Sequence, residues 1–539
     1  MKTFQPKIID TLKDYSLKKF TSDIIAGIIV AIIALPLSIA LAIASGVSPE
    51  KGLYTAIVAG FVISLLGGSK VNISGPTAAF ATIVAGIVAT FGVQGLIIAT
   101  IMAGIILILM GVFKFGSLIK FIPNTITTGF TSGIALTIVI GQIKDFLGLT
   151  FSEGTHAIET MEKLVAVIKS IGTINFNSLI VGVLAVSILI LWPKVSKKIP
   201  GSLIAVIFGV IIVKVLKVDV ITIGDLYKIS NTPPTINIPG INFTLITQLM
   251  PSAFTIAILA AIESLLSCVV SDGMIDDKHN SNTELIAQGF GNICSGLFGG
   301  IPATGAIART AANVKNGGRT PVSGIVHAVV LLLILVVLMP YAAWIPMPVI
   351  ASILFVVAYN MCEWRQFVSI CKTAPKSDVI VLVCTFVLTV VFDLVIAIEV
   401  GLLLSVVLFI KRMTEVAKIR KWERAFPDGR QKEFEEETEI FDVSGPLFFA
   451  TSEILQEIKI TPLTKNIIIR MGNVPSLDIS ALKVLKNTYN SLHEKGIFVI
   501  FSHVNKQPMS VMKKSNFYKE IGEEHFADNI DTALDRILK

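Results

Sequence analysis

Long apolar runs, separated by short polar connections, occupy positions 1–410 of the 539-residue chain. A helix that spans a bilayer needs roughly 17–25 mostly apolar residues, and several of these runs are shorter. The pattern predicts fourteen spans, of which the tenth must be completed by its neighbours. The apolar centres lie at 24–45, 52–66, 78–91, 96–112, 126–143, 177–192, 201–216, 250–270, 284–298, 308–313, 322–338, 349–362, 378–392 and 394–409.

The end of the chain follows a different pattern, in which short strands alternate with helices. Strands are predicted at 440–443, 447–449, 466–470 and 497–502, and helices at 480–494, 507–514 and 528–539, with Asp478 capping the first helix. This alternation predicts a small α/β domain. The predicted divisions are a cytoplasmic N-terminal segment (1–22), a transmembrane domain (23–410), a charged linker (411–435) and a C-terminal domain (436–539).

The distribution of charge supports this division. Nearly half of the Asp, Glu, Lys and Arg side chains lie between Lys411 and Lys539, although that stretch is only about a quarter of the chain. Soluble domains carry about 25% charged residues, and the long apolar part falls far below this, so it is not expected to be soluble. The net charge of +7 does not indicate nucleic-acid binding, because the basic residues of the apolar part lie mostly in short loops.

The basic residues also predict the orientation in the membrane. Five lysines precede the first span, and Lys411 and Arg412 follow the last. Cytoplasmic loops are enriched in Lys and Arg, so both termini should be cytoplasmic, which requires an even number of spans. The expected location is the cell inner (plasma) membrane, crossed many times. The polar N-terminal segment is not expected to be a signal peptide.

Two polar segments rich in glycine and proline interrupt the apolar pattern. They are residues 71–77 (VNISGPT) and 300–307 (GIPATGAI), and each leads into an apolar helix. Irregular backbone at membrane depth is tolerated only where it is buried in protein or lines a cavity. Each following half-helix would begin with free N–H groups and a partial positive charge, which favour an anion.

The positions of the two breaks predict an inverted repeat. Gly75 and Gly305 occupy equivalent places, because each lies in the third span of a seven-span half. Seven is odd, so two such halves must be inverted in the membrane. Paired interrupted helices at corresponding positions are typical of a transporter's binding site. The alternative is that glycine and proline merely kink two helices for packing.

A few ionisable residues fall inside predicted spans, where charge is costly. Glu263 lies near the middle of the eighth span, so it should be protonated or paired with a cation, as suits a coupling group. Arg309 follows the second break and could attract an anion, or neutralise Glu263 when the site is empty. Structural hydrogen bonds or ion pairs are the alternative for both. His327 could carry protons, but a lone histidine is more typical of an interhelical hydrogen bond.

Three motifs together resemble the sulfate permease (SulP) family of anion transporters. They are ISGPT at 73–77, HNSNTELIAQGFGN at 279–292 and GGIPATG at 299–305. The resemblance extends over essentially the whole chain, since the family also ends in a cytoplasmic STAS domain. It implies a 7+7 fold with a core domain (spans 1–4 and 8–11) and a gate domain (spans 5–7 and 12–14), elevator-like alternating access and a homodimer.

The same resemblance implies the site residues, with an anion held between the broken third and tenth spans. By motif match the substrate-binding residues are Ser74, Gly75, Thr77, Gly305, Ala306, Ala308 and Arg309, several of them acting through backbone N–H groups. The resemblance assigns coupling to Glu263, which matches the family's acidic residue in the eighth span, and to Ser267 one turn later. No cofactor or metal is predicted.

One departure from the family pattern bears on the coupling ion. Sodium-coupled bicarbonate members look to have Asp at the Glu263 position and Thr where this chain has Ile307. Isoleucine offers no oxygen to sodium, so we predict proton coupling or exchange. The predicted substrate is a small anion of the sulfate, dicarboxylate or bicarbonate class. Leu37 and Leu41 beside the site slightly favour a dicarboxylate.

The C-terminal segment 477–481 (LDISA) resembles the loop before the main helix of a STAS domain. In anti-sigma antagonists a phosphorylated serine follows the Asp. Here Ile479 follows it, which argues against that switch, although Ser480 is adjacent. The domain is predicted to serve dimerisation and folding.

Other classes of protein are less well supported. A nucleobase–proton symporter shares this fold, but Arg309 and the STAS-like tail argue against it. An anion channel, or a membrane-anchored signalling protein with the tail as its output, is a further alternative. An enzyme is not predicted, because there is no nucleophile–base arrangement, metal-ligand cluster or nucleotide-binding loop. The expected partners are a small anion, the proton, the lipid bilayer and a second copy of the chain.

Overall fold

The computed structural model describes residues 4–117, 123–152, 157, 159–196, 199–240, 243–392, 394–422, 437–458 and 460–537. The chain forms two compact units, Met1–Leu402 and Leu403–Lys539. Among the described residues, the first unit contains helices and one short strand pair, and the second contains a five-stranded sheet.

Helices make up most of the first unit, and the last of them extends past Leu402. Their bounds are α1 (Lys7–Thr11), α2 (Leu17–Ala44), α3 (Pro49–Leu66), α4 (Ala81–Val112), α5 (Asn124–Leu147), α6 (Thr160–Lys169), α7 (Phe176–Val195), α8 (Gly201–Val215), α9 (Ile223–Leu226), α10 (Phe243–Ile275), α11 (Ser281–Leu297), α12 (Ile307–Lys315), α13 (Val322–Leu338), α14 (Met347–Cys362), α15 (Trp364–Thr373), α16 (Lys376–Val391) and α17 (Leu394–Val416). The two strands are β1 (Ser74–Gly75) and β2 (Thr304–Gly305).

Each of the fourteen predicted spans overlaps one of these helices. The third and fourth fall within the single helix α4, which is interrupted at Gly92 with φ +68°. A left-handed residue inside a helix favours glycine, because it has no Cβ to clash. Within the described ranges, eight helices are long and apolar enough to cross a bilayer. The number fourteen therefore stays a prediction.

Glycines allow α4 and α11 to cross at close range. A Cβ added to Gly104 would lie 2.6 Å from the carbonyl oxygen of Gly289, and a Cβ added to Gly289 would lie 2.6 Å from that of Gly104. Small residues at a helix crossing let two backbones approach, which is a common way to pack helices in a bilayer. This crossing fixes α11 against the helix that follows the first break.

The second unit is a sheet with helices on both faces. The strand order is β3-β4-β5-β6-β7, in which β3 is antiparallel to β4 and the other neighbours are parallel. The bounds are β3 (Lys418–Lys421), β4 (Thr438–Ser444), β5 (Asn466–Asn473), β6 (Phe498–Ser502), β7 (Phe526–Ala527), α18 (Ile479–Glu494), α19 (Lys506–Lys514), α20 (Phe517–Ile521) and α21 (Ile530–Ile537).

Alternating side chains of β5 face two separate cores, as the period of a strand requires. Ile467 and Ile469 belong to the core that contains Leu485 of α18. Ile468 belongs to the opposite core, which contains Ala533 of α21. The α/β architecture predicted for the C-terminal domain is therefore confirmed.

Three of the four predicted strands and all three predicted helices of this domain are present. Residues 447–449 are not a strand, since Leu447 forms only an isolated bridge with Leu477. Two strands were missed. β3 lies inside the predicted linker as the sequence KIRK, and its mostly exposed charged side chains give no apolar alternation, as is usual for a sheet edge. β7 has only two residues.

Replacing Asp478 with alanine should loosen the start of α18. Asp478 is the N-cap residue, and its Oδ1 accepts a hydrogen bond from the amide of Ala481 at 2.8 Å, while Oδ2 accepts one from Phe449 at 2.9 Å. Loss of an Asp cap costs about 1 kcal/mol. Hydrogen exchange in residues 479–494 of the full-length protein should accelerate about five-fold. The exposed Asp531, changed to alanine as the control, should leave that exchange unaltered, and equal effects of both changes would contradict the prediction.

Candidate functional site

The two breaks predicted from the sequence meet each other directly. β1 and β2 form an antiparallel pair in which Ser74 faces Gly305 and Gly75 faces Thr304. The amide of Ala306 adds a hydrogen bond of 2.9 Å to the carbonyl oxygen of Ile73. The two segments, which are distant in sequence, therefore form one continuous junction inside the helical unit.

A helical segment leaves the junction on each side. Thr77 precedes a 3-10 turn, Ala78–Phe80, that leads into α4, and Ala306 precedes α12. No described side chain caps either start. The first N–H groups of a helix lack partners within the helix and carry a partial positive charge. Both helical starts thus bring unfilled donors to the junction.

Arg309 lies in the first turn of α12 with only 1% of its surface exposed. Its Nη2 donates to the carbonyl oxygen of Pro76 at 3.1 Å and to Ser38 Oγ at 3.4 Å. Its Nε and Nη1 have no hydrogen-bond partner within the described residues. Arginine is always charged and all of its nitrogens donate, so a buried guanidinium with free donors requires an acceptor.

Glu263, on α10, is half-buried and accepts a hydrogen bond of 2.9 Å from Thr77 Oγ1. Of the possibilities left open for Arg309, an ion pair with Glu263 is not present in this conformation among the described residues. The physical reason is that the guanidinium donates to the carbonyl of Pro76, whereas the carboxylate accepts from the next residue, Thr77. The two charged groups contact consecutive residues of the first break and not each other.

Ser267 has a different setting from Glu263, although both were assigned to coupling. The Ser267 hydroxyl is buried, donates to Asn72 Oδ1 at 2.8 Å and lies 3.1 Å from Thr310 Oγ1. Thr310 also bonds to Asn72 Oδ1 at 3.0 Å and accepts from the amide of Ile73 at 3.0 Å. Ser267 thus joins α10 to both breaks through a buried hydrogen-bond network.

The other predicted substrate-binding residues fall into two groups by exposure. Ser74, Gly75 and Gly305 are buried within the strand pair. In contrast, Thr77 and Ala306 are half-buried and Ala308 is exposed, so the start of α12 is open at the surface of this chain, whereas Ala78–Phe80 after Thr77 are buried. Residue 307, whose side chain bears on sodium binding, is an isoleucine that is 43% exposed.

Several polar residues that hold the junction were missed by the sequence analysis. Ser264 Oγ accepts from the amide of Gly305 at 2.9 Å and lies 2.7 Å from Thr304 Oγ1. Asn292 binds both the amide and the carbonyl of Ala303, each at 2.9 Å. A signal was available in α11, where polar residues recur on one helical face of a span-length segment: Glu284, Gln288, Asn292 and Ser295.

His327 differs from the expectation of a satisfied interhelical hydrogen bond, which is wrong. The ring is fully buried on α13, and neither ring nitrogen has a partner within the described part of the chain. It packs near α3, where a Cβ on Gly60 would lie 3.8 Å from Nδ1 and 3.2 Å from the carbonyl oxygen of Ser74. The imidazole therefore lies close to the first break without bonding to it.

Gly75 is the position where a side chain would disturb this site most directly. A Cβ there would lie too close to Arg309 Nη1 for any real contact, so alanine must displace the guanidinium. We expect Gly75→Ala to weaken anion binding at least ten-fold while the protein stays folded, since a long side chain can move aside. Gly86→Ala on α4, where a Cβ meets nothing within 4 Å, is the matched control. Equal affinities in titrations of both purified variants would contradict the prediction.

The fold and the junction define a class, the multi-pass membrane transporters built from inverted repeats with paired helix breaks. The sequence profile described as the Sulfate permease family matches residues 20–385, and that of the STAS domain matches residues 430–533. The chain belongs to the sulfate permease family and is an anion transporter with a C-terminal STAS domain. The resemblance noted from its motifs is thereby confirmed.

Relatives cover nearly the whole chain. The putative sulfate transporter YvdB of Bacillus subtilis (strain 168) is 41% identical over 526 residues, which is 96% of this chain and 98% of YvdB. The bicarbonate transporter BicA of Picosynechococcus sp. (strain ATCC 27264 / PCC 7002 / PR-6) is 31% identical over 528 residues, which is 94% of this chain and 92% of BicA.

Two solved structures share the fold. The transmembrane domain of a cyanobacterial BicA is 30% identical with a TM-score of 0.62, and it covers 73% of this chain and 98% of its own. The inward-facing murine Slc26a9 anion transporter has a TM-score of 0.89 and covers 99% of this chain and 94% of its own. At 18% identity, the second likeness concerns the fold alone.

Proposed function

We propose that the protein is a secondary active transporter of a small anion, coupled to protons or working by anion exchange. The observation that carries the proposal is Arg309, a buried guanidinium whose Nε and Nη1 are without partners among the described residues. It lies at a junction where two helical segments begin without a side-chain cap. Positive charge and unfilled donors at one point favour an anion.

The proposed anion contacts divide into side-chain and backbone donors. Arg309 supplies the charge, and the hydroxyls of Ser74 and Thr77 are the side-chain hydrogen-bonding groups of the first break. Glycine and alanine have no side-chain donor, so Ala308 would act through its backbone N–H group. The amides of Gly305 and Ala306 already donate to Ser264 Oγ and to the carbonyl oxygen of Ile73, so these two residues, like Gly75 in the strand pair, would shape the site. Because the strand pair holds both breaks, these groups are preorganised for the ligand.

Glu263 is the proposed coupling group. Its carboxylate bonds to Thr77, a residue of the first break, and therefore lies beside the proposed anion site. A proton on Glu263 removes a negative charge there and leaves the charge of Arg309 to attract the anion. Proton and anion thus favour each other's binding. Ser267 supports α12 through Thr310 and contributes to coupling through position.

Proton coupling is proposed over sodium symport because residue 307 offers no oxygen. Sodium requires several oxygen ligands, and an isoleucine occupies the place where sodium-coupled members look to have a threonine. The proposed substrates are sulfate, bicarbonate and dicarboxylates. Leu37 is half-buried near the site, whereas Leu41 is fully buried, so any preference for a dicarboxylate rests on Leu37.

Alternating access is proposed to occur by movement of the core helices as one body against the gate helices. In support, α10 and α11 both hydrogen-bond to the breaks, through Ser264, Ser267, Gln288 and Asn292. A homodimer, and an orientation in the plasma membrane with both termini cytoplasmic, complete the proposal. Cysteine accessibility at each end and cross-linking in native membranes test these two points.

The transport proposal is tested with purified protein in liposomes. Uptake of labelled sulfate, bicarbonate and a dicarboxylate is measured with an inward proton gradient in sodium-free buffer, with counterflow of unlabelled anion as a second arm. Saturable uptake driven by the gradient or by counterflow supports the proposal. Uptake that requires sodium and ignores the pH gradient, or that occurs for uracil and not for anions, would overturn it.

A further inference from the structure

Glu284 is a fully buried carboxylate in the first turn of α11. Its Oε2 accepts from the backbone amides of Gly68 at 2.9 Å and Ser69 at 3.2 Å. Its Oε1 accepts from Asn72 Nδ2 at 2.8 Å and from Gln288 Nε2 at 3.0 Å. In the described ranges it has no ion-pair partner, so four neutral donors hold it.

Burying this carboxylate away from water costs free energy, so we expect it to have a specific role. A buried carboxylate without a cation loses its hydration, and only well-aligned hydrogen bonds compensate for that loss. Here the donors come from α11 itself and from the connection between α3 and β1. The carboxylate therefore links the segment that leads into the first break to α11, a helix of the second half of the repeat.

One arm of the network reaches the first break itself. The same Gln288 Nε2 that donates to Glu284 lies 3.0 Å from Ser74 Oγ, to which it also donates. Ser74 pairs with Gly305 where β1 meets β2. Glu284 thus orients the side-chain amide of Gln288, which in turn holds Ser74, a proposed anion-binding residue.

A second arm reaches α12. Asn72 donates to Glu284 through Nδ2, and its Oδ1 accepts from the hydroxyl of Thr310 at 3.0 Å. Thr310 is next to Arg309 in the first turns of α12. The Asn72 amide also lies against the second break, where a Cβ on Gly305 would be 2.6 Å from Nδ2. Both breaks are therefore linked to one carboxylate.

We propose that Glu284 is a positioning residue of the anion site, which sets the place of Ser74 and of Arg309 relative to each other. It acts through Gln288 and Asn72 and does not touch the anion. The inference rests on the proposed function, because it assigns the geometry of that same site. A role in folding alone would give no specific link between Glu284 and Ser74.

The test begins with Glu284→Gln in the full-length protein. An amide presents two N–H donors where the carboxylate offered an oxygen, and all four neighbours are donors too. We expect sulfate affinity, or that of the best anion found, to fall at least ten-fold. Amide hydrogen exchange should accelerate in residues 73–77 and 305–310. Gln288→Met, which removes the arm to Ser74 together with one donor to Glu284 and leaves the arm through Asn72, serves if the first variant does not fold.

A double-mutant cycle separates positioning from stability. Gln288→Met combined with Ser74→Ala should be strongly non-additive in anion affinity, because Gln288 reaches the site through the Ser74 hydroxyl. Glu284→Gln combined with Ser74→Ala should be non-additive in part, because Glu284 also acts through Asn72. Asn292→Ala is the matched control on α11, since Asn292 binds Ala303 and not Ser74. Its combination with Ser74→Ala should be closer to additive.

The outcomes are distinct. Affinity of Glu284→Gln and of Gln288→Met within two-fold of the wild type, or cycles as additive as the Asn292 control, would overturn the positioning role. If the wild type itself binds and transports no anion, the proposed function fails. The exchange measurement then still decides whether Glu284 holds the two breaks, because it needs no ligand.

Discussion

Arg309→Gln is expected to abolish measurable anion transport and to lower anion affinity about 100-fold. The change removes a buried positive charge together with two unpartnered donors, Nε and Nη1, among the described residues. Hydrogen bonds to charged groups contribute about 1.5–3 kcal/mol each, so losing one or two accounts for this factor. Titration of the purified variant with anions, followed by uptake in liposomes, checks the result.

Two further variants make this test specific. Arg309→Lys keeps a charge but loses the planar set of donors, so it should retain part of the affinity. Arg319→Gln is the matched control, because Arg319 is exposed just beyond the other end of α12 and its Nη1 already donates to two backbone carbonyls. Normal uptake by Arg309→Gln, or equal losses in Arg309→Gln and Arg319→Gln, would remove the basis of the proposed site.

Glu263→Gln is expected to separate anion binding from the proton gradient. Glutamine resembles the protonated carboxyl group and still accepts from Thr77 Oγ1. Anion affinity of the wild type should rise as pH falls, since a proton on Glu263 removes a repulsive charge, whereas the variant should bind with little dependence on pH. Uptake driven by the pH gradient should fall to background, measured with a pH-sensitive dye inside the liposomes.

The control for this variant is anion counterflow at a single pH. Binding and exchange should partly survive in Glu263→Gln, because Arg309 and both breaks remain. An unchanged rate of gradient-driven uptake would defeat the coupling role of Glu263. Loss of counterflow together with loss of binding would instead mean that Glu263 holds the site in shape.

The main architecture could be predicted from the sequence because its signals are local. Apolar runs mark helices, and a short Gly/Pro segment inside such runs marks a break, as residues 71–77 and 300–307 illustrate. The equivalent positions of the two breaks in two halves indicated a shared site, although not that the breaks form a strand pair. In the tail, alternating apolar residues predicted β4, β5 and β6, whereas the charged edge strand β3 gave no such signal.

The interactions around the site could not be predicted, because they depend on contacts between distant residues. Glu284 meets Asn72 across 212 positions, and no local pattern specifies which donors a buried carboxylate selects. For a related reason the sequence could not decide whether Arg309 pairs with Glu263. Backbone carbonyls are acceptors that a sequence does not display, and the carbonyl of Pro76 takes the guanidinium's hydrogen bond.

The pairing of the breaks has a symmetry of its own. When the two repeats are aligned with Gly75 on Gly305, Ser74 falls on Thr304. Exchanging the repeats therefore converts the pair of Ser74 with Gly305 into the pair of Thr304 with Gly75, and both pairs are present. The register of the strand pair is therefore two-fold symmetric, as expected of inverted halves. The hydrogen bond from the amide of Ala306 to Ile73 has no counterpart, because the residue equivalent to Ala306 is Pro76, which has no N–H group.

The charge at this centre does not share that symmetry. In the same alignment, the position of the first half that is equivalent to Arg309 is Ala79. An anion attracted to Arg309 would consequently lie to one side of the two-fold axis. Its surroundings would be electropositive at the end near Arg309 and neutral at the opposite end. A polar axis of this kind would let an asymmetric anion, such as one with a single charged group, enter in a preferred direction.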